Sequence, residues 1–263
     1  MSHPASPPAA PVAAASVLLL RDAPDGLEVF MQRRSRRVDF SAGAMVFPGG
    51  RVDAADADPA LRARCCGADE LEDRARALRV AAIREVFEEC GVLLARPRGA
   101  TPFVSDARVR ELREKYRSEL QAARLEMARL AENEDLELAC DRLIPFAHWI
   151  TPTVLPKRFD TLFFLAEAPP HAATHDGSES VASEWIRPGD ALAAADAGRH
   201  SMMFPTRLNL AKLGASASVR DAIDAARRGR IVTVLPEVRR GPEGPVLRIP
   251  ADAGYGVCEF PVD

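Results

Sequence analysis

The chain has 263 residues, of which 47% are hydrophobic, so it can bury a substantial core without disulfide support. Its formal net charge of -3 argues against an overall cationic field that would attract nucleic acid or an anionic membrane. The five cysteines are an odd number, so they cannot all pair in disulfides, and they do not have the spacing of a zinc site. We therefore predict a globular, cytoplasmic protein that binds neither nucleic acid nor membrane.

The first part of the chain predicts a disordered lead followed by a β-hairpin. Residues 1–11 contain almost nothing to bury, so we expect them to be disordered. Two apolar runs, residues 12–20 and 27–32, flank residues 22–26, whose proline and glycine favour a turn. An arginine-rich loop follows, and then a short apolar run, residues 44–47, that ends at a Pro-Gly-Gly break.

The middle of the chain predicts two helices. Residues 53–67 are rich in alanine and aspartate, and we expect a loop there. Residues 69–90 have the pattern of a helix, which Gly91 would end. A second, highly charged helix is predicted for residues 106–132, where it would cover the core or contact a partner.

The second half of the chain mixes strand and helix patterns without a long linker. The predicted strands are residues 146–151, 159–166 and 181–186, and the predicted helices are residues 190–197, 206–213 and 219–228. A closing hairpin is predicted from residues 231–238 and 246–249. Intermixed elements around one core indicate a single α/β domain over residues 12–263.

The helix before Gly91 carries three carboxylates on one side. At about 100° per residue, Glu85, Glu88 and Glu89 lie opposite an apolar arc of about 120°. Such like charges repel one another, and a hard divalent cation such as Mg²⁺ or Mn²⁺ would relieve the repulsion. The alternative is a solvated acidic face, which is the ordinary meaning of an acidic string. Arg84 before the carboxylates, Gly91 after them and the upstream Phe-Pro-Gly-Gly run favour the metal site.

Residues 84–92 match, position by position, the second half of the Nudix box, R-E-U-x-E-E-x-G-U, in which U is a bulky aliphatic residue. Residues 47–50 resemble the opening of that box. Asp56 occupies the position of its first glutamate, and Arg84 follows 28 residues later where the box has eight. The twenty extra residues, about 57–76, resemble the insert of a Nudix subgroup typified by a peroxisomal coenzyme A diphosphatase of animals.

This resemblance spans roughly residues 12–190 and implies an α/β/α Nudix sandwich with a mixed sheet. It implies that Glu85, Glu88, Glu89 and the Gly50 carbonyl are metal ligands. It also implies that Glu85 or Glu88 activates the attacking water and that Arg84 orients a ligand carboxylate. Some Nudix enzymes take their base from a later loop, and Glu179 is the candidate for such a residue here.

The segment before the box partly resembles a signature of coenzyme A-cleaving Nudix enzymes, R-S-x3-R-x3-G-x3-F-P-G-G. Asp39 stands where the second arginine of that signature belongs. Arg34 and Arg36 are candidates for binding a phosphate of the substrate, because arginine contacts phosphate oxygens in pairs. Gly49 and Gly50 complete the predicted substrate-binding set. The alternative is an exposed arginine-rich loop without a ligand.

The resemblance therefore implies metal-dependent hydrolysis of a diphosphate linkage in a nucleotide derivative, with coenzyme A or acyl-coenzyme A as the substrate. An ADP-ribose or dinucleotide pyrophosphatase is the alternative within the same enzyme class. A nucleotide-binding Nudix-fold regulator without catalysis is the alternative outside it, with residues 106–132 as its partner surface. The intact acidic set argues against the regulator. The sequence leaves open the choice of Mg²⁺ or Mn²⁺ and the oligomeric state, a homodimer included.

Three further polar residues are interpreted as structural. His148 adjoins an apolar strand-like segment, and we expect a satisfied core or edge histidine there. Arg158 and Asp160 alternate along a strand, and we expect an ion pair between them.

Overall fold

The computed structural model describes residues 9–33, 43–170, 183–242 and 244–261. Only the last three residues of the predicted disordered lead lie within these ranges. Part of the arginine-rich loop and the segment that contains Glu179 lie outside them.

A mixed β-sheet forms the centre of the molecule. Its strands are β1 (Val12–Ala23), β2 (Gly26–Arg33), β3 (Met45–Val46), β4 (Gly49–Arg51), β7 (Ile144–Ile150), β8 (Phe159–Glu167), β9 (Ser183–Ile186) and β10 (Thr233–Val234). They follow the order β10-β7-β8-β1-β2-β3, with β4 paired to β1 and β9 paired to β2. Two pairings, β1 with β8 and β7 with β10, are parallel, whereas the others are antiparallel. The predicted first hairpin is confirmed.

Two smaller sheets flank the central one. Strands β5 (Ala95–Pro97) and β6 (Leu136–Leu138) pair with each other, and β11 (Glu237–Gly241), β12 (Gly244–Arg248) and β13 (Glu259–Pro261) form a three-stranded sheet near the end of the chain.

Seven α-helices occur in the described ranges, and one π-helical turn lies between the second and the third. The α-helices are α1 (Asp73–Cys90), α2 (Asp106–Leu112), α3 (Ser118–Gln121), α4 (Met127–Asn133), α5 (Pro188–Asp196), α6 (Phe204–Leu213) and α7 (Val219–Arg228). The π-helical turn is Arg113–Arg117. In the part of the chain that the structure describes, no helix has both the length and the apolar character needed to cross a membrane.

Helices cover both faces of the central sheet, which explains why β1 is an almost unbroken apolar run. Alternate residues of a strand point to opposite faces, so Val17 enters one core and Leu18 enters the other. Helix α1 supplies Phe87 to the first core, and α6 supplies Leu210 to the second. The result is the three-layer α/β/α sandwich that the resemblance implies.

Two predictions for the middle of the chain were wrong. Residues 53–67 are not a loop, because they contain two 3-10 helices, Ala54–Ala57 and Pro59–Arg64. Residues 106–132 are not one helix: the π-helical turn interrupts them, and Ala123, with φ of 52°, ends α3. At this end, the backbone amides of residues 124 and 125 both donate hydrogen bonds to the Glu119 carbonyl.

Two element boundaries also differ from the prediction. Helix α1 begins four residues later than expected, because the Leu71 amide bonds to the Ala68 carbonyl in a preceding turn. Residues 231–238 are not one hairpin strand. Strand β10 joins the central sheet, Pro236 lacks the amide that a continuing ladder needs, and the hairpin starts at Glu237.

Candidate active site

The Phe-Pro-Gly-Gly run places two glycines between the central sheet and α1. Strand β4 pairs Gly49 with Ser16 and Gly50 with Ala15 of β1. A side chain at Gly49 would lie 2.4 Å from the Ala15 carbonyl oxygen, and one at Gly50 would lie 2.4 Å from Oε1 of Glu85. The backbone contact excludes a side chain at Gly49, and the Gly50 backbone lies directly against the Glu85 carboxylate.

Arg84 lies at the centre of this site and bonds to several other residues of the box. Its Nε and Nη2 donate to the two carboxylate oxygens of Asp56, both at 2.9 Å. Its Nη1 donates to Glu85 at 2.8 Å and to Glu88 at 3.3 Å, and Nη2 also reaches the Arg51 carbonyl at 2.9 Å. Asp56 is 2% exposed, so this is a buried, bidentate ion pair. The guanidinium holds the carboxylates of Glu85 and Glu88 side by side.

Burial and charge act in opposite directions in this cluster. Burial lowers the pKa of Arg84, but the hydrogen bonds and charges of Asp56, Glu85 and Glu88 outweigh it and raise the pKa above its ordinary value. Burial raises the pKa of the Glu85 and Glu88 carboxyls, although Arg84 acts to lower both. One guanidinium thus offsets only part of the cost of burying the two carboxylate charges.

Glu89 has different partners. Its Oε2 accepts a hydrogen bond from the Gln32 side-chain amide and another, at 2.9 Å, from the Gly49 backbone amide. The side-chain oxygen of Gln32, Oε1, in turn lies 3.9 Å from the Cys90 sulfur. Gln32 lies 57 positions before Glu89 in the chain, and nothing in the sequence pattern links the two residues.

Helix α1 ends at Gly91, as predicted, with φ of 68°. The Gly91 amide donates to the Phe87 carbonyl at 2.9 Å, and the Gly91 carbonyl accepts from Nε of Arg113 at 2.6 Å. A side chain at this position would lie 2.6 Å from the same Arg113 nitrogen. The left-handed conformation favours glycine here, and the arginine packs closely against it.

The structure brings together most of the site residues predicted from the sequence. Arg84 bonds to Glu85 and Glu88, Glu85 lies against Gly50, and the neighbouring Gly49 bonds to Glu89. Within the described ranges, however, no three His, Cys, Asp or Glu side chains are gathered closely enough to hold a metal ion. The remaining predicted site residues lie outside the described residues: Arg34, Arg36 and Glu179.

A second polar cluster joins β7, β8 and β10 to the beginning of α1. His148 lies 2.8 Å from the Thr233 hydroxyl and also bonds to the Asp160 carboxylate, as expected for a satisfied histidine. Arg74 pairs with Asp160 at 2.6 Å. The predicted pairing of Arg158 with Asp160 was wrong, because the Arg158 guanidinium donates to backbone carbonyls instead.

The sandwich, the glycine pair and the acidic helix together define a Nudix-type fold. The crystal structure of a Nudix hydrolase from Alicyclobacillus acidocaldarius is 27% identical to the chain and aligns with a TM-score of 0.61. The alignment covers 82% of this chain and 96% of that one. The predicted fold class is thereby confirmed.

A family model described as the NUDT19 Nudix domain matches residues 62–213, and the chain belongs to this family of Nudix hydrolases. Among its relatives are putative nudix hydrolase 7 of Caenorhabditis elegans, 30% identical over 187 residues, and the acyl-coenzyme A diphosphatase NUDT19 of Homo sapiens, 29% identical over 208 residues. The alignments cover 70% and 64% of this chain, but only 55% of either relative. The chain thus spans little more than half the length of these relatives.

Proposed function

We propose that the chain hydrolyses the diphosphate linkage of coenzyme A or acyl-coenzyme A in a reaction that depends on a divalent cation. Water adds across the P–O–P bridge and gives 3′-phosphoadenosine 5′-phosphate and 4′-phosphopantetheine or its acyl derivative. The observation that carries the proposal is the arrangement of Arg84, Glu85 and Glu88 against Gly50, in a family whose relatives include acyl-coenzyme A diphosphatases.

The chemistry of the acidic site fits Mg²⁺ or Mn²⁺. Glu85, Glu88 and Glu89 offer only hard oxygen atoms, which these cations prefer. Burial outweighs the effect of Arg84 and raises the pKa of the partly buried Glu85 and Glu88 carboxyls, so a cation beside them would stabilise their charged form. We therefore assign these three carboxylates, with the Gly50 carbonyl, to the cation, which would have to draw Glu89 toward Glu85 and Glu88, because the described structure does not gather the three. Bound there, a divalent cation would neutralise the diphosphate and activate water.

The protein groups have separate roles in this proposal. Arg84 orients the carboxylates of Glu85 and Glu88 through one nitrogen, while Asp56 holds the guanidinium in place. Gly49 and Gly50 give the substrate phosphates access to the backbone, since neither has a side chain. Glu88 or Glu85 accepts a proton from the attacking water. Glu179 stays the alternative base.

A substrate panel tests the proposed chemistry. The purified chain is incubated with Mg²⁺ or Mn²⁺ and coenzyme A, an acyl-coenzyme A, NADH, ADP-ribose or a nucleoside triphosphate, and products are separated by chromatography. We expect kcat/KM for coenzyme A or its acyl derivative to exceed that for ADP-ribose by at least about tenfold, a difference of about 1.4 kcal/mol. Equal or better turnover of ADP-ribose or NADH would replace the proposed substrate with a dinucleotide-type one.

The variant Glu88→Gln distinguishes an enzyme from a regulator. It removes one negative charge from the acidic site without changing its shape, and we expect kcat to fall by about 10³-fold, equivalent to several kcal/mol. The matched control is Glu70→Gln, which neutralises an exposed glutamate outside the site and should leave kcat unchanged. A wild-type chain that binds nucleotide tightly but hydrolyses none of the panel would favour the regulator.

A further inference from the structure

The helical segment after the box, formed by α2, the π-helical turn and α3, packs against the first core along one face. The side chains on this face are no more than 5% exposed: Val109, Leu112, Tyr116 and Leu120. A second set of polar side chains follows each of the last three by one position: Arg113, Arg117 and Gln121. The wider π-helical turn contains the first two, and such turns occur frequently at functional sites.

This polar set meets the end of α1. Nε of Arg117 donates to the Glu88 carbonyl and its Nη2 to the Glu89 carbonyl, both at 2.9 Å. The Gln121 side-chain amide donates to the Glu88 carbonyl at 2.6 Å. The last carbonyls of a helix have no partner within the helix, and positive charge beside them is favourable. Two basic side chains and an amide thus cap the turn that carries two carboxylates of the site.

Other contacts attach the segment to the molecule independently of this cap. Arg108, Lys115 and the Tyr116 hydroxyl all bond to the carboxylate of Glu134 in the residues after α4, and that carboxylate is 6% exposed. With the apolar face, this cluster holds the segment in place. The segment is therefore held by contacts other than the bonds of Arg117 to α1.

We propose that Arg117 is a positioning residue that, with Gln121, fixes the peptide units of Glu88 and Glu89 and thereby sets the affinity of the acidic site for a divalent cation. This inference rests on the proposed function of that site. The two parallel bonds hold two consecutive carbonyls at once, which restricts the backbone from which both carboxylates extend. Partners that orient ligand residues commonly alter metal affinity by about 10- to 100-fold when they are removed.

The test compares Arg117→Met with Arg110→Met, which removes an exposed arginine from α2 in the same helical segment. Mn²⁺ affinity is measured on the full chain by electron paramagnetic resonance of the unbound ion, beside kcat, KM and Tm. We expect Arg117→Met to weaken Mn²⁺ binding by about tenfold and to lower kcat more than it raises KM, with Tm close to the wild-type value. Arg110→Met should change none of these quantities.

The variant Arg117→Lys provides the rescue. Lysine keeps the charge but lacks the planar fork that reaches two carbonyls, so we expect Mn²⁺ affinity between those of the wild type and Arg117→Met. If Arg117→Met lowers Tm but binds Mn²⁺ like the wild type, Arg117 only stabilises the fold and the inference is wrong. A wild-type chain that neither binds Mn²⁺ nor hydrolyses the substrate panel overturns the proposed function, and the inference with it.

Discussion

At the scale of single residues, the buried pair of Asp56 and Arg84 is the contact on which the acidic site is built. Asp56→Asn leaves Arg84 without a charged bidentate partner in a buried position, and we expect it to lower the free energy of unfolding by about 3 kcal/mol. Urea denaturation measures this loss.

The control for this prediction is Asp53→Asn. Asp53 lies 3.6 Å from the same guanidinium, but its side chain is 58% exposed, so we expect a loss of under about 1 kcal/mol. Equal losses in the two variants would contradict the assignment of Asp56 as the principal partner of Arg84.

Part of this arrangement was predictable, because residues of the Nudix box stand at set positions along the sequence. The motif identified Arg84 and the three glutamates, and counting from Gly50 placed Asp56 at the position of the missing box glutamate. The bond between Gln32 and Glu89 was not predictable, because it joins a strand to a helix across 57 positions. Arg117 left a weak signal, since polar side chains recur every four residues beside the apolar face, but its acceptors depend on how the segment packs.

At the scale of elements, the sequence predicted the end of α1 but missed the breaks at Ala123 and at Pro236. Gly91 ends α1 where the sequence predicted it. The break at Ala123 was missed because alanine is the strongest helix former and gives no local sign of a left-handed turn. The early end of β10 was missed because β-branched residues before Pro236 favour a strand without indicating which sheet it joins.

Gly91→Ala tests how the end of α1 is held. A left-handed alanine costs about 1–2 kcal/mol, and here the added methyl group also meets the Arg113 guanidinium. Gly99→Ala is the matched control, because Gly99 has φ of 72° and its added carbon meets nothing within 4 Å. We expect Gly91→Ala to cost about 1–3 kcal/mol more than Gly99→Ala in urea denaturation. The same cost in both variants would show that the contact with Arg113 yields easily.

Asp160→Asn tests the cluster that joins the central sheet to the beginning of α1. Burial acts to raise the pKa of Asp160, but the bonds from His148 and Arg74 outweigh it and hold that pKa below the ordinary value of 3.8. An acid with a lowered pKa stabilises the fold above its unfolded pKa, and this stabilisation is lost as the pH falls through the folded value. We expect Asp160→Asn to cost about 2 kcal/mol at pH 7, and the difference from the wild type to shrink as the pH falls below 3.8.

The control for the pH experiment is Asp196→Asn. Its carboxylate pairs with Arg207 but is 65% exposed, so we expect a change under about 1 kcal/mol at pH 7. A loss in Asp160→Asn that stays constant from pH 7 to pH 3 would mean that the charge of Asp160 contributes nothing.

At the scale of the whole molecule, the chain continues beyond the segment that the family model matches, which ends at residue 213. The later part still packs on the second core through Ile249 and Ala253 and through partly buried residues such as Phe260. These contacts support the prediction that residues 12–263 form one domain. The matched family model does not reach this region, and the sequence predicted its hairpin from turn residues between two apolar runs.

Tyr255→Phe tests whether this last part unfolds together with the rest. The Tyr255 hydroxyl accepts from Trp149 of β7 and donates to Asn209 of α6, both at 2.8 Å, and so ties the end of the chain to the sheet and to a helix. Removing it leaves the Trp149 N–H and the fully buried Asn209 without that partner, and we expect a loss of about 1–3 kcal/mol. The free energy of unfolding of Val257→Ala, at an exposed position nearby, should stay within about 0.5 kcal/mol of the wild type.

If the chain is one domain, tryptophan fluorescence and far-ultraviolet circular dichroism of Tyr255→Phe will report a single shifted urea transition, because a cooperative unit unfolds at once. An unshifted main transition preceded by a separate early one would instead make the last part of the chain an independent unit.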